Sequence, residues 1–93
     1  MSQTSDQVSY EALAERFGTP LYVYNADELT RAHERYRQAF AGLDPLICYA
    51  VKANSNLSIL RHFAELGCGF DIVSGGELAR VVAAGGDPAK TVF

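Results

Sequence analysis

Two charged side chains, Lys52 and Asp71, have the types and the spacing that chemistry at a shared site would need. Lys52 follows an apolar run that begins at Leu46, and Asp71 lies in the next apolar run, 19 residues later. That separation fits one strand–helix unit, so parallel strands would bring both side chains to the carboxyl edge of a sheet, where α/β proteins bind ligands. A lysine among apolar neighbours suits a Schiff base with a carbonyl compound. Two interpretations stay open: a catalytic lysine oriented by Asp71, or an ion pair that only stabilises the strand ends.

The elements that must position this pair follow from the apolar periodicity and the turn residues. Helices are predicted at residues 9–17, 26–41, 57–66 and 74–84, and strands at 21–24, 46–51, 70–73 and from 91 onward. The regular alternation of strands with helices long enough to be crossovers predicts an α/β fold with parallel strands.

The segment Ser74 to Glu77, SGGE, permits two interpretations. A serine and two glycines that open a helix could form a phosphate-binding turn. The same spacing is a capping box, in which Glu77 folds back on the Ser74 amide. We favour the capping box, because Glu77 would repel a phosphate. Asn54 and Asn56 are likewise predicted to be turn and N-cap residues of the next helix.

Composition and charge exclude several partners. The chain has 93 residues and a net charge of −3, without a basic block, so neither nucleic acid nor an anionic membrane is an expected partner, and a small molecule is. No signal peptide or membrane-length apolar run is present, which favours the cytoplasm. Cys48 and Cys68 lack the spacing of a metal site or a redox pair, so no metal is predicted. His33 and His62 are expected to face solvent.

Four segments together resemble the fold-type III decarboxylases that depend on pyridoxal 5′-phosphate: GTPLYVYN at 18–25, YAVKANSN at 49–56, GCGFDIVSGGEL at 67–78 and AGGDPAKTVF at 84–93. YAVKAN in register with FDIVSGGEL is the most specific part of this pattern. The resemblance implies that Lys52 is the catalytic lysine and forms a Schiff base with pyridoxal 5′-phosphate. It also implies that Lys52 and Asp71 both bind the cofactor.

The resemblance implies a fold as well, a pyridoxal-phosphate-binding (β/α)8 barrel of the alanine racemase and decarboxylase type, followed by a β-sandwich domain. Residues 1–45 would then be an N-terminal helix, strand and helix leading into the barrel, with 21–24 outside it. Residues 46–93 would be the first βα units of a barrel that is incomplete in this chain. The full-length proteins are expected to be homodimers.

The implied reaction in the full-length protein is decarboxylation of meso-2,6-diaminopimelate to L-lysine and carbon dioxide, the last step of lysine biosynthesis. Alternatives are a decarboxylase of another basic amino acid, such as ornithine or arginine, a racemase on the same barrel, or a non-catalytic pyridoxal-phosphate carrier. These 93 residues alone are expected to be inactive and to aggregate, because a partial barrel leaves an open strand edge.

Overall fold

The computed structural model describes residues 9–93. In chain order its helices and strands are α1 (Tyr10–Phe17), α2 (Ala26–Ala39), β1 (Cys48–Ala50), α3 (Leu57–Glu65), β2 (Gly69–Asp71), α4 (Gly75–Ala83) and β3 (Thr91–Val92). A 3-10 turn at Val51–Ala53 follows β1, and another at Pro88–Lys90 leads into β3. Strands and helices alternate from β1 onward, which confirms the predicted α/β class.

The three strands form one parallel sheet in the order β1-β2-β3. Ala50 lies opposite Asp71, and Asp71 lies opposite Val92, so the carboxyl ends of the strands are level with one another. Helix α3 connects β1 to β2, and α4 connects β2 to β3. This arrangement is that of consecutive βα units in a partial barrel.

The core joins the sheet to α3 and α4. Its most completely buried large side chains are Val51, Leu60, Phe70 and Val81. Leu60 and Phe63, three residues apart, share one face of α3, as the helical period requires. Burying each large apolar side chain contributes about 1.5–3 kcal/mol, so this cluster fixes both helices on the sheet beside the strands that carry the candidate site.

The helix N-caps follow the sequence closely. Asn25 Oδ1 accepts hydrogen bonds from the amides of Asp27 and Glu28, and Ser74 Oγ accepts from the Glu77 amide at 3.1 Å. The predicted return contact from Glu77 to the Ser74 amide is wrong. The Glu77 carboxylate accepts from Val73 N at 2.8 Å instead, because the extended backbone of Ser74 brings the preceding amide to the carboxylate.

The strand predicted at 21–24 is also wrong. These residues have no regular secondary structure, and their side chains, LYVY, are exposed, with Tyr22 at 86%. Aromatic and β-branched residues favour strands only where a neighbouring strand pairs with their amides and carbonyls. Within residues 9–93 the sheet contains only β1, β2 and β3, and none of them pairs with this segment.

Both histidines differ from the expectation that they face solvent. His33 on α2 is only 7% exposed, and the Thr30 hydroxyl lies 2.8 Å from His62 Nε2 on α3. Helix α2 packs against α3, and this packing covers part of a face of α2 that looks polar in the sequence.

None of the helices within residues 9–93 has the length and apolar character to cross a membrane.

Candidate active site

Lys52 lies in the 3-10 turn that follows β1, which ends at Ala50, one residue earlier than the strand predicted at 46–51. Val51 is completely buried in the core, whereas the Lys52 side chain is exposed. The Asn54 amide donates to the Val51 carbonyl at 3.1 Å and closes the turn. Burial of Val51 therefore anchors the backbone while Lys52 projects from the carboxyl edge, so the expected apolar surroundings of the ammonium are not present among the described residues.

Asp71 is the last residue of β2 and is also exposed. It lies opposite Ala50, so Lys52 is two residues beyond the Asp71 pairing position on the neighbouring strand. The topology thus brings Lys52 and Asp71 to the same edge, as their spacing predicts. The salt bridges found within residues 9–93 involve neither residue, so the two do not form the strand-end ion pair.

The turn after Lys52 is held by side chains from two other elements. The Tyr49 hydroxyl on β1 donates to the Asn54 carbonyl, and Arg80 Nε on α4 donates to the Ser55 carbonyl, both at 2.9 Å. Asn54 Oδ1 also accepts from the Asn56 amide at 3.0 Å, and Asn56 caps α3 as predicted.

Sequence reasoning missed both Tyr49 and Arg80. Tyr49 resembles an ordinary strand residue, and Arg80 is 25 residues from Ser55 along the chain, so no local pattern links it to the turn. The signal that could have found them is the predicted topology, which places α4 beside α3.

Lys90, the other lysine of the chain, lies at the opposite end of the strands. It directly precedes β3, and its carbonyl oxygen is 4.0 Å from Sγ of Cys48, the first residue of β1. Of the two lysines, Lys52 alone is placed at the carboxyl edge, where a ligand of a parallel α/β sheet binds.

The amino end of the strands also carries the two cysteines, both free thiols. Cys68 is buried, and its Sγ donates to the Ile47 carbonyl at 3.0 Å. Burial, and secondarily the neighbouring Cys48, raises the pKa of the Cys68 thiol to about 11. Burial also raises the pKa of Cys48, with a smaller contribution from the Asp71 charge. Both thiols are thereby disfavoured as nucleophiles.

Residues 9–93 contain no cluster of three or more metal-ligating side chains.

A groove with a volume of about 490 Å³ is lined by α1 and residues 21–26, without Lys52 or Asp71. Lys52 and Asp71 are both exposed, so the described residues leave this part of the carboxyl edge open to solvent.

Comparison with known proteins agrees with the arrangement of the strands. Residues 26–93 match the family described as "Pyridoxal-dependent decarboxylase, pyridoxal binding domain", and the chain belongs to this family. Diaminopimelate decarboxylase of Neisseria meningitidis serogroup B is 69% identical over 93 residues, which is 100% of this chain and 22% of that protein. The chain spans about a fifth of the length of the curated relatives it matches.

Solved structures show the same similarity. Diaminopimelate decarboxylase from Helicobacter pylori, complexed with L-lysine, has a TM-score of 0.86 and 48% identity, over 91% of this chain and 22% of that one. Lysine/ornithine decarboxylase from Vibrio vulnificus, complexed with cadaverine, has a TM-score of 0.82 but 26% identity, over 88% of this chain and 22% of that one. The family resemblance seen in the sequence is confirmed.

The family description implies pyridoxal phosphate as the cofactor, and the residues present fit its aldehyde end. An aldehyde reacts with a primary amine, and Lys52 offers an exposed one at the same edge of the sheet as Asp71. The first turn of α4 is a poorer match to the phosphate, because Ser74 Oγ and the Glu77 carboxylate already occupy the amides of Glu77 and Val73. The described residues therefore suit one end of the cofactor.

Proposed function

We propose that this chain forms the first βα units of a longer pyridoxal-phosphate-dependent decarboxylase that converts meso-2,6-diaminopimelate to L-lysine and carbon dioxide. The observation that carries the proposal is the 69% identity, over all 93 residues, to a relative named diaminopimelate decarboxylase. The open edges of the three-stranded sheet support a longer protein, because a lone parallel sheet leaves unpaired strand groups. Residues 1–45 would lead into the barrel, and residues 46–93 would contribute its first units.

In this proposal Lys52 is the residue that holds the cofactor, through its Nζ, at the carboxyl edge of β1. Bound pyridoxal phosphate supplies an electron-withdrawing ring that takes up the electrons left by the departing carboxylate. The same Nζ would also be placed to move a proton at the reacting carbon of the substrate.

Asp71 would act from the end of the neighbouring strand. Its carboxylate favours a positive charge beside it, so it would orient the Lys52 ammonium and a cationic ring of the cofactor. Both side chains are exposed, so a cofactor and a substrate would be able to reach them.

We further propose that the longer protein is a cytoplasmic homodimer. The resemblance supports this, and for the homodimer so do the exposed apolar side chains at residues 21–24. Light scattering of the purified holoenzyme tests the assembly. A monomeric mass at working concentration would reject it.

Borohydride reduction followed by peptide mapping of the full-length protein tests the role of Lys52. We expect a phosphopyridoxyl adduct on Lys52 and none on Lys90, which serves as the internal control. An adduct on another residue, or no bound cofactor, would reject Lys52 as the cofactor lysine. The chain would then share the fold of its family but not this use of the cofactor.

Release of carbon dioxide from a panel of amino acids tests the substrate. We expect meso-2,6-diaminopimelate to give the highest kcat/KM, above ornithine, arginine and lysine. Preference for ornithine or lysine would instead favour the activity named for the Vibrio vulnificus structure. Bound cofactor without turnover of any of them would favour a non-catalytic carrier.

A further inference from the structure

We propose that Arg80 is a positioning residue for Lys52, acting through the carbonyl of Ser55 and together with Tyr49. This inference rests on the proposed function of Lys52. The contact that the structure shows for the Arg80 side chain is its hydrogen bond to the Ser55 carbonyl. It acts by fixing the turn, residues 51–56, that carries Lys52 and leads into α3.

The turn has little support of its own. Its 3-10 segment, Val51–Ala53, is a single short turn closed by the hydrogen bond from the Asn54 amide to the Val51 carbonyl. Isolated 3-10 turns have poor hydrogen-bond geometry and are easily deformed. The next two carbonyls, those of Asn54 and Ser55, accept from side chains outside the turn. These contacts convert a weak turn into one that is held from both sides.

Arg80 differs from the other hydrogen-bonded arginines within residues 9–93. Arg31, Arg37 and Arg61 each pair with a glutamate three or four residues away on their own helix. Arg80 instead reaches from α4 to the backbone in front of α3, 25 residues away in sequence. All of these contacts are exposed, but a pair within one helix cannot fix that helix relative to another element, whereas the Arg80 contact joins α4 to the turn before α3.

Tyr49 provides the second support from the strand itself. Its ring stacks on Phe63 of α3, with centroids 4.6 Å apart and planes at 24°, which fixes the direction of its hydroxyl. Burial raises the pKa of Tyr49, so the hydroxyl keeps its proton and remains a donor to the Asn54 carbonyl. Tyr49 and Arg80 therefore hold adjacent carbonyls from different elements.

The consequence for catalysis is geometric. Displacing a reacting group by about 1 Å can slow a reaction by about 100-fold. Loss of the Arg80 contact frees the Ser55 carbonyl and lets the turn move, and Lys52 Nζ then moves with it.

The test compares Arg80→Ala, Arg80→Lys and Tyr49→Phe with Arg61→Ala, in the full-length protein. Arg61 is a matched control, because it is an exposed arginine whose partner, Glu65, is on its own helix. We expect Arg80→Ala to lower kcat by about 10- to 100-fold with a smaller change in KM. Arg80→Lys should recover part of this loss, and Tyr49→Phe, which keeps the ring, should lower kcat in the same direction.

Two further readouts separate positioning from a merely structural role. In the cofactor-free protein, Arg80→Ala should speed hydrogen–deuterium exchange in the peptide that spans residues 51–56, relative to Arg61→Ala. In the holoenzyme it should shift the pH at which the absorption band of the lysine-bound cofactor changes. Equal kcat and equal exchange for the two alanine variants would overturn the proposal. So would a loss of kcat fully explained by a lower cofactor content.

Failure of this inference is distinct from failure of the proposed function. If wild-type protein has no adduct on Lys52, the proposed function fails, while exchange in the turn still reports whether Arg80 holds it. If the adduct is on Lys52 but Arg80→Ala behaves like Arg61→Ala, only the positioning role fails.

Discussion

The two ends of the same three parallel strands differ in what they present. At the carboxyl end, Lys52 and Asp71 are both exposed, and the turn after Lys52 is held by side chains from outside it. At the amino end, Cys68 is buried and Cys48 lies against the Lys90 carbonyl. The carboxyl end thus carries accessible polar side chains, whereas at the amino end the cysteine sulfur atoms lie against backbone carbonyl groups. The strand direction separates residues suited to chemistry from residues suited to packing.

Glycines at the two ends show the same difference. A Cβ at Gly69, the first residue of β2, would overlap the Lys90 carbonyl oxygen and lie 2.8 Å from Cys48 Sγ. A Cβ at Gly75, the first residue of α4 beyond the carboxyl end, would meet no atom within 4 Å. The amino end is therefore close-packed, whereas the carboxyl end has free space.

Replacing each lysine in turn is the strongest test of the comparison between the two ends. In the full-length protein, Lys52→Ala should lower kcat by about 10²- to 10⁴-fold, the range for loss of a group that transfers protons. It should also abolish the borohydride-fixed adduct, because no amine remains at the carboxyl edge of β1. Lys90→Ala should leave activity and adduct unchanged. Equal losses for the two variants would remove the functional distinction between the ends.

Alkylation of the two cysteines sharpens the comparison at the amino end. With a pKa raised from 9.0 to about 11, Cys68 should have about 100-fold less thiolate at pH 8 than in the unfolded chain. Iodoacetamide labelling followed by mass spectrometry, with urea-unfolded protein as the control, measures this ratio. We expect Cys68 to react more slowly than the half-buried Cys48 in the native protein. Labelling of native Cys68 at the unfolded rate would show that the amino end is not closed.

The same pKa gives a pH dependence of stability with a defined sign. The folded state keeps the Cys68 proton at pH values where the unfolded chain loses it. The stability associated with this thiol is thus fully present below pH 9 and is lost as the pH rises from 9.0 towards about 11. Cys68→Ala should remove the part of the loss of folding stability at alkaline pH that comes from this thiol.

Adding one methyl group at each end is expected to give the smallest of these effects. Gly69→Ala should lower the free energy of unfolding by about 1–3 kcal/mol, because the Lys90 carbonyl and Cys48 must move to admit the Cβ. Gly75→Ala should leave it unchanged or raise it by up to about 1 kcal/mol, since alanine favours helix. Urea titration of the full-length variants measures both. A larger loss for Gly75→Ala would contradict the packing difference.

Much of the fold was predictable from local patterns. The N-caps at Asn25, Asn56 and Ser74 are confirmed, because an N-cap side chain bonds to amides only two or three residues away. The positions of Lys52 and Asp71 at one edge are also confirmed, since parallel strands joined by single helices must align their carboxyl ends. Both results depend on spacing that is visible in the chain.

Other features were not predictable, because they depend on tertiary contacts between elements that are distant in the sequence. The segment at 21–24 has strand-forming residues but no paired neighbour among the described residues, and His33, on a helix face that looks polar in the sequence, is buried. The strand predicted at 46–51 is shorter in the structure, Cys48–Ala50, and Val51 begins the 3-10 turn and is buried in the core.

The sequence by itself determined the class of the fold, the helix caps and the two residues at the candidate site. It did so through periodicity, capping chemistry and spacing, which act over a few residues or one βα unit. Only the tertiary structure decided that Lys52 is exposed, that it has no ion-pair partner among the described residues, and that Arg80 and Tyr49 hold its turn. Those contacts join elements up to 25 residues apart, and their free energy depends on geometry that exists only after the helices have packed.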